Sequence, residues 1–240
     1  MRFRETVGFL FVIPLFLIIS SCSARIDGVV REGGAAEITL KTSLEPRTAA
    51  VIRSLKNFMG EAADAPIIDG PEMSKSMSAT PGIRSVSLKN TGPTALEGSI
   101  SISNVGHFLL SDDERSRFIT YTESRSPGSS SILIALDRNS APFIIASLSP
   151  EAEEYLSALM APAVLGEKST RQEYLGLLTM VYGRALSDEV ANAVIRVLLE
   201  FPRPVTSVKG GKAAGKQAEF NIPLAELLVL ENALSYEIKW

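Results

Sequence analysis

Residues 24–43, ARIDGVVREGGAAEITLKTS, decide how the chain is to be read. Before the Gly33-Gly34 pair, Ile26, Gly28 and Val30 share one side of an extended segment. After it, Ala36, Ile38 and Leu40 share a side, with Glu37, Thr39 and Lys41 opposite. Alternation with period two about a Gly-Gly turn predicts an antiparallel hairpin. Directly downstream the period changes. Ser43 to Pro46 opens a helix in which Val51, Ile52, Leu55, Phe58, Met59 and Ala62 recur at three- and four-residue spacing. Arg47, Arg53, Lys56 and Asn57 face elsewhere. The expectation is a helix laid across the hairpin.

Further along, Pro66, Gly70, Pro71 and Pro81 break an irregular stretch in which Met73 and Met77 suit a short helix. Ile83–Leu88, Leu96–Ile102, Phe118–Thr122 and Ile132–Leu136 then predict four strands of an antiparallel meander. Ser140 to Leu148 is a short apolar segment. Ser149-Pro150-Glu151 carries three helix-start signals, and Ser169-Thr170-Arg171-Gln172 matches a capping box. Leu175, Leu178, Val181 and Tyr182 follow on one face as far as Gly183. A third helix is predicted from Ser187, with Val190, Val194, Val197, Leu198 and Phe201 as its buried stripe and Pro202 and Pro204 as its stop. Val205–Lys209 and Ala218–Ile222 predict a last hairpin. Leu234, Tyr236, Ile238 and Trp240 alternate to the final residue, as in a strand tied into a sheet.

The fold class expected from this pattern is α+β: a mainly antiparallel β platform with a packed helix and a helical insertion at about 140–204. The regions read as 1–21, a leader; 22–139, a β-rich part; 140–204, a helical part; and 205–240, strands returning to the sheet.

Upstream of the hairpin, Arg2 and Arg4 precede an apolar run from Val7 to Ile19, broken by Gly8 and Pro14. The run is short for a bilayer span, which takes about 20 apolar residues. It ends at Ile19-Ser20-Ser21-Cys22. A charged start, a short apolar core and small residues make a secretory signal, and the junction resembles the lipobox of bacterial lipoproteins. That resemblance implies cleavage before Cys22, acylation of its sulfur, palmitate-type chains, and a protein held at the membrane on the side away from the cytoplasm. It also implies that Ser23 favours the outer membrane where an organism has one, since Asp at that position marks inner-membrane retention. Cys22 is the only cysteine of 240 residues, so no intrachain disulfide and no thiolate metal site can form. The layout as a whole, with a lipobox in front and a Trp-ending strand behind, resembles the LppM-like group of bacterial lipoproteins. This implies a membrane-attached domain with a lipid-binding cavity.

Composition removes several function classes. Without residues 1–21, which carry Arg2, Arg4 and Glu5, the net charge passes from −3 to −4. An acidic body with a pI near 5.4 lacks the basic footprint of a nucleic-acid binder. Gly210-Gly211-Lys212-Ala213-Ala214-Gly215-Lys216 fits the phosphate-cradling G-x-x-x-x-G-K pattern, but Gln217 stands where Ser or Thr must hold magnesium, and a strand-like segment follows instead of a helix. His107, the sole histidine, lies near Asp112 and Asp113, yet no G-x-S-x-G elbow occurs. Asp112, Asp113 and Glu114 lack calcium-loop spacing. Glu151, Glu153 and Glu154 suit the first turn of a helix. No catalytic residue, cofactor or metal ligand is therefore assigned; Cys22, as the lipidation site, is the one site residue. The expected function is a non-enzymatic, lipid-anchored envelope protein that binds a lipid or an envelope protein. An envelope hydrolase of unrecognised type is the alternative.

Overall fold

The computed structural model describes residues 23–58, 67, 69–111, 113–124, 130–146, 163 and 165–240. In chain order the first half contains β1 (Ser23–Val30), β2 (Ala36–Ser43), α1 (Pro46–Phe58), α2 (Gly70–Ser78), β3 (Ile83–Gly92), β4 (Ala95–Ile102), α3 (Val105–Leu110) and α4 (Asp113–Ser116). There follow β5 (Ile119–Thr122), β6 (Ser131–Leu136), α5 (Ala141–Ala146), α6 (Arg171–Tyr182), α7 (Arg184–Asn192) and β7 (Val194–Glu200). The last elements are β8 (Ser207–Lys209), β9 (Lys212–Ala214), β10 (Gln217–Pro223), α8 (Leu224–Val229) and β11 (Leu234–Lys239).

The opening hairpin forms in the register its alternation requires, with Ile26 opposite Leu40, Gly28 opposite Ile38 and Val30 opposite Ala36. Gly33 and Gly34 have φ of 81° and 80°, a region that disfavours side chains and so calls for glycine twice. Around this hairpin grows a seven-stranded sheet of order β3-β4-β2-β1-β7-β10-β9, in which only the β1–β7 pair is parallel. A second, all-antiparallel sheet has the order β5-β6-β11-β8. The fold is α+β with mostly antiparallel sheets, as expected.

Four details differ from the sequence reading. The third helix ends at Asn192, and residues 194–200 form β7, which lies between β1 and β10 near the centre of the large sheet. Val194-Ile195-Arg196-Val197-Leu198-Leu199 satisfies a helical stripe and a buried strand alike. Its β-branched residues and its central, parallel place select the strand. The region 140–204 is thus no helical insertion, because its last strand joins the platform. The four meander strands divide, β3 and β4 to the large sheet and β5 and β6 to the small one. The predicted C-terminal hairpin also splits: β8 pairs with β11, and β10 pairs with β9 and β7. Finally, the capping box is shifted by one residue. Thr170 Oγ1 accepts from the Glu173 N–H at 3.2 Å while the Glu173 carboxylate accepts from the Thr170 N–H at 2.8 Å.

α2 covers the edge of the large sheet. Its N-terminus is capped by Asp69, and Ser74 Oγ accepts from the Leu88 N–H at 2.8 Å. α1 docks on α7 through a cap supplied from far along the chain. The Glu189 carboxylate accepts from the Arg47 N–H, the Thr48 N–H and the Thr48 hydroxyl at 2.9–3.1 Å. Residues 1–22, with the leader and Cys22, lie outside the described residues, as do Met59, Ala62, Asp112 and the helix start at 149–154.

Candidate functional site: a hydrocarbon cavity between the sheets

The inward side chains on β1, β2 and β4 are those the alternation picks out, whereas those on β7 come from the segment read as a helix. Ile26 and Val30 on β1, Ile38 and Leu40 on β2, Ile100 and Ile102 on β4, Ile195, Val197 and Leu199 on β7, and Phe220 and Ile222 on β10 all face one space. The small sheet closes it from the other side with Ile132, Ile134 and Leu136 of β6 and Tyr236 and Ile238 of β11. Val105, Phe108 and Leu109 of α3, Phe118, Ile144 of α5 and Leu227 of α8 also line it. The cavity, partly open to solvent, measures about 190 Å³. Ile38, Val197, Leu199, Ile134 and Tyr236 keep accessible surface although they lie between two sheets, the mark of an interior that is not filled.

The space lies between the two sheets. Facing sheets stand about 10 Å apart, and both walls carry Ile, joined by Val on the large sheet, whose branched carbons restrict them to few rotamers. Gly28 contributes no side chain at the centre of the large sheet, and Leu199 Cδ2 lies over it, 2.7 Å from where a Cβ would stand.

Tyr236 carries the one polar side-chain group in the wall. Its ring meets Phe220 edge-on at 5.7 Å, joining the two sheets. Burial pushes its phenol above the ordinary tyrosine range, with Glu226 adding to the shift. At one end of the small sheet Trp240 stacks against Phe201 at 4.5 Å, and its backbone N–H donates to the Ser130 carbonyl at 3.0 Å. This ties down the end of the chain as the terminal alternation predicted. Beside the cavity the buried Arg115 lies over the Phe108 ring at 4.5 Å.

The residues weighed for chemistry are dispersed. His107 is exposed on α3, where its backbone N–H donates to Asn104 Oδ1 at 2.7 Å in the helix cap. Asp113 and Glu114 fall on α4, their side chains outside the description, and Glu151, Glu153, Glu154 and Cys22 are outside it altogether. Among the described residues no group of three or more His, Cys, Asp or Glu side chains gathers to hold a metal. Among them, too, no helix is long and apolar enough to cross a membrane.

The G-x-x-x-x-G-K look-alike has a structural explanation. Gly210 and Gly211 carry the chain from β8 in the small sheet to β9 in the large one. A Cβ on Gly210 would stand 2.6 Å from the Ser235 carbonyl oxygen of β11, and one on Gly211 would stand 2.6 Å from the Phe220 ring of β10. Two glycines are needed because two backbones close in where the chain changes sheet. Lys212 and Lys216 are exposed.

No protein-family model and no curated protein matches the chain. Among solved structures, the NMR structure of the folded domain of Mycobacterium tuberculosis LppM is similar, at TM-score 0.42 and 9% identity, covering 100% of this chain and 94% of that one. A likeness so distant carries no functional argument, and what this chain does must be read from its own cavity and sequence.

Proposed function

We propose that the chain is a non-enzymatic, lipid-anchored envelope lipoprotein whose two-sheet body takes up a hydrocarbon chain of a lipid. The observation that carries this reading is the cavity of about 190 Å³ walled almost entirely by hydrocarbon. An apolar cavity of about 150 Å³ stays dry and takes up a benzene molecule. By that measure this one has room for roughly seven or eight carbons, the inner part of one acyl chain rather than a whole lipid. Tyr236, whose phenol is protonated in the neutral range like any tyrosine, can donate one hydrogen bond to an ester or carboxyl oxygen at the wall. The anchor on Cys22, implied by Ile19-Ser20-Ser21-Cys22, would hold that cavity beside a bilayer.

The test is native mass spectrometry of the full chain released from membranes, read beside a cavity-filling Ile134→Trp variant. A ligand at one per chain, additional to the acyl groups on Cys22 and lost in the variant, is the expected result. A chain that carries nothing beyond its own acylation would overturn lipid uptake. Retention of hydrolytic activity on envelope lipids by the wild type and its loss in His107→Ala would establish the hydrolase instead.

A further inference from the structure

Gly28 stands apart from its neighbours on the inner side of β1. Ala24, Ile26 and Val30 carry side chains there and are buried, while Gly28 between them carries none. A glycine inside a strand weakens it, having nothing to pack and more freedom to lose on folding. Its φ lies outside the left-handed region, so the backbone at this position suits any residue. What calls for glycine is the space above it.

That space belongs to Leu199. In the register of the large sheet one row runs Ile100, Ile38, Gly28, Leu199, Ala218 across β4, β2, β1, β7 and β10. A Cβ on Gly28 would stand 3.9 Å from Ile38 Cγ1, an ordinary contact, but 2.7 Å from Leu199 Cδ2, well inside the optimum for two carbons. Leu199 thus rests in the gap that the glycine leaves. Its other flank offers no equal place. Ala218 has no exposed surface and is not part of the cavity wall, so the ground above it is already taken. A side chain at position 28 would turn Leu199 away from the sheet, toward the cavity that both residues line.

The volume at stake is large against the void. By the benzene measure, 190 Å³ holds roughly seven or eight carbons. On the same scale Gly28→Ala fills about two of those places, one with its own methyl and one with the displaced Leu199 methyl. Leu199→Ala opens about three, the carbons it removes. Only the far end of a flexible side chain has to move in the first case, so the change falls on the cavity and spares the sheet.

We propose that Gly28 and Leu199 together set the length of hydrocarbon chain that the cavity admits, Leu199 as a movable piece of its floor and Gly28 as the recess that keeps it low. The inference rests on the uptake of a hydrocarbon chain proposed above. Its test uses the full chain in nanodiscs and straight-chain primary alcohols of graded length, with free alcohol measured in the water phase. Each alcohol competes with an octanol bearing a diazirine on its terminal carbon. Intact mass after irradiation gives the fraction labelled, and peptide mapping confines the count to label on the cavity strands. In the parent, apparent affinity should climb about fourfold per methylene and level off at roughly seven or eight carbons, since further carbons stay at the open mouth. The plateau should come about two carbons earlier in Gly28→Ala and about three later in Leu199→Ala, with circular dichroism unchanged. Adding Leu199→Ala to Gly28→Ala should carry the plateau past the parent's, a recovery that a weakened fold does not give. Plateaus that stay at the parent's length in every variant would overturn the length control and leave lipid uptake standing. Should Gly28→Ala fail to fold, Leu199→Ala alone decides by the same reading. No competition by any alcohol in the parent overturns uptake itself, and the length control with it.

Discussion

Two parts of one interior are filled in opposite ways. Over β3 and β4, α2 lays its buried Met73 and Met77 into the layer of Leu88 and Leu96, and Met77 has no exposed surface at all. Unbranched thioether side chains follow an irregular surface and close it. Between the two sheets the facing residues are mainly Ile and Val, fixed in their rotamers, and about 190 Å³ stays empty. A helix can settle onto a sheet until contact is made. Two sheets joined through Gly210-Gly211 and the Phe220–Tyr236 contact are held at a set distance. The difference teaches that the void follows from construction, rigid walls on a fixed frame, and not from a shortage of apolar residues.

The largest effect expected from that contrast is on stability. Met77→Ala should cost about 2–5 kcal/mol, because nothing around it can relax into the hole. Ile134→Ala on the cavity wall should cost distinctly less, since it enlarges a space whose contacts are already incomplete. Urea denaturation midpoints compare the two; equal losses would break the distinction between a packed and an unpacked half.

A reciprocal test adds volume. Leu96→Phe, in the packed layer, should cost about 1–3 kcal/mol through overpacking. Ile38→Phe, directed into the cavity, should fall within about 1 kcal/mol of the parent while excluding ligand. If thermal unfolding shows Ile38→Phe to be as damaging as Leu96→Phe, the cavity cannot accept volume and lipid uptake loses its ground.

The smallest effect separates two tyrosines. Tyr236 lines the cavity, whereas Tyr121 lies outside its wall. Burial pushes the Tyr121 phenol up to about 12, with Glu123 adding, and raises Tyr236 as well. A phenol whose folded pKa is raised contributes stability that is whole below its ordinary value of 10.0 and is lost as pH climbs toward about 12. Tyr121→Phe should therefore flatten the fall in stability across that alkaline window. Ligand in the cavity should shift the Tyr236 titration further upward and leave Tyr121 in place, read by tyrosinate absorbance. Equal movement of both would mean that the ligand sits elsewhere.

Much of this was legible residue by residue. The β1–β2 hairpin and its inward residues followed from strict alternation about Gly33-Gly34. The start of α1 at Pro46, the short helix carrying Met73 and Met77, the stop of α6 at Gly183 and the strand ending at Trp240 were read from local signals as well. The cavity walls were legible as lists of apolar positions, but not as a cavity. Periodicity tells which side of a strand avoids water, while the distance to whatever faces it depends on the second sheet.

The sequence by itself determined local conformation and exclusion: where turns and helix starts fall, which faces are apolar, the acidic charge, the single cysteine within a lipobox-like junction, and the missing Ser or Thr after Lys216. Only the tertiary structure decided partners. It turned residues 194–200 into a strand by offering β1 and β10 as neighbours. It capped α1 with Glu189, 141 residues from Thr48, and it gave Gly210-Gly211 to a change of sheet. The physical reason is common to all three. Backbone preference and hydrophobic period act over a few residues, whereas hydrogen-bond partners, sheet membership and empty volume are set by groups far apart in the chain that meet only once it has folded.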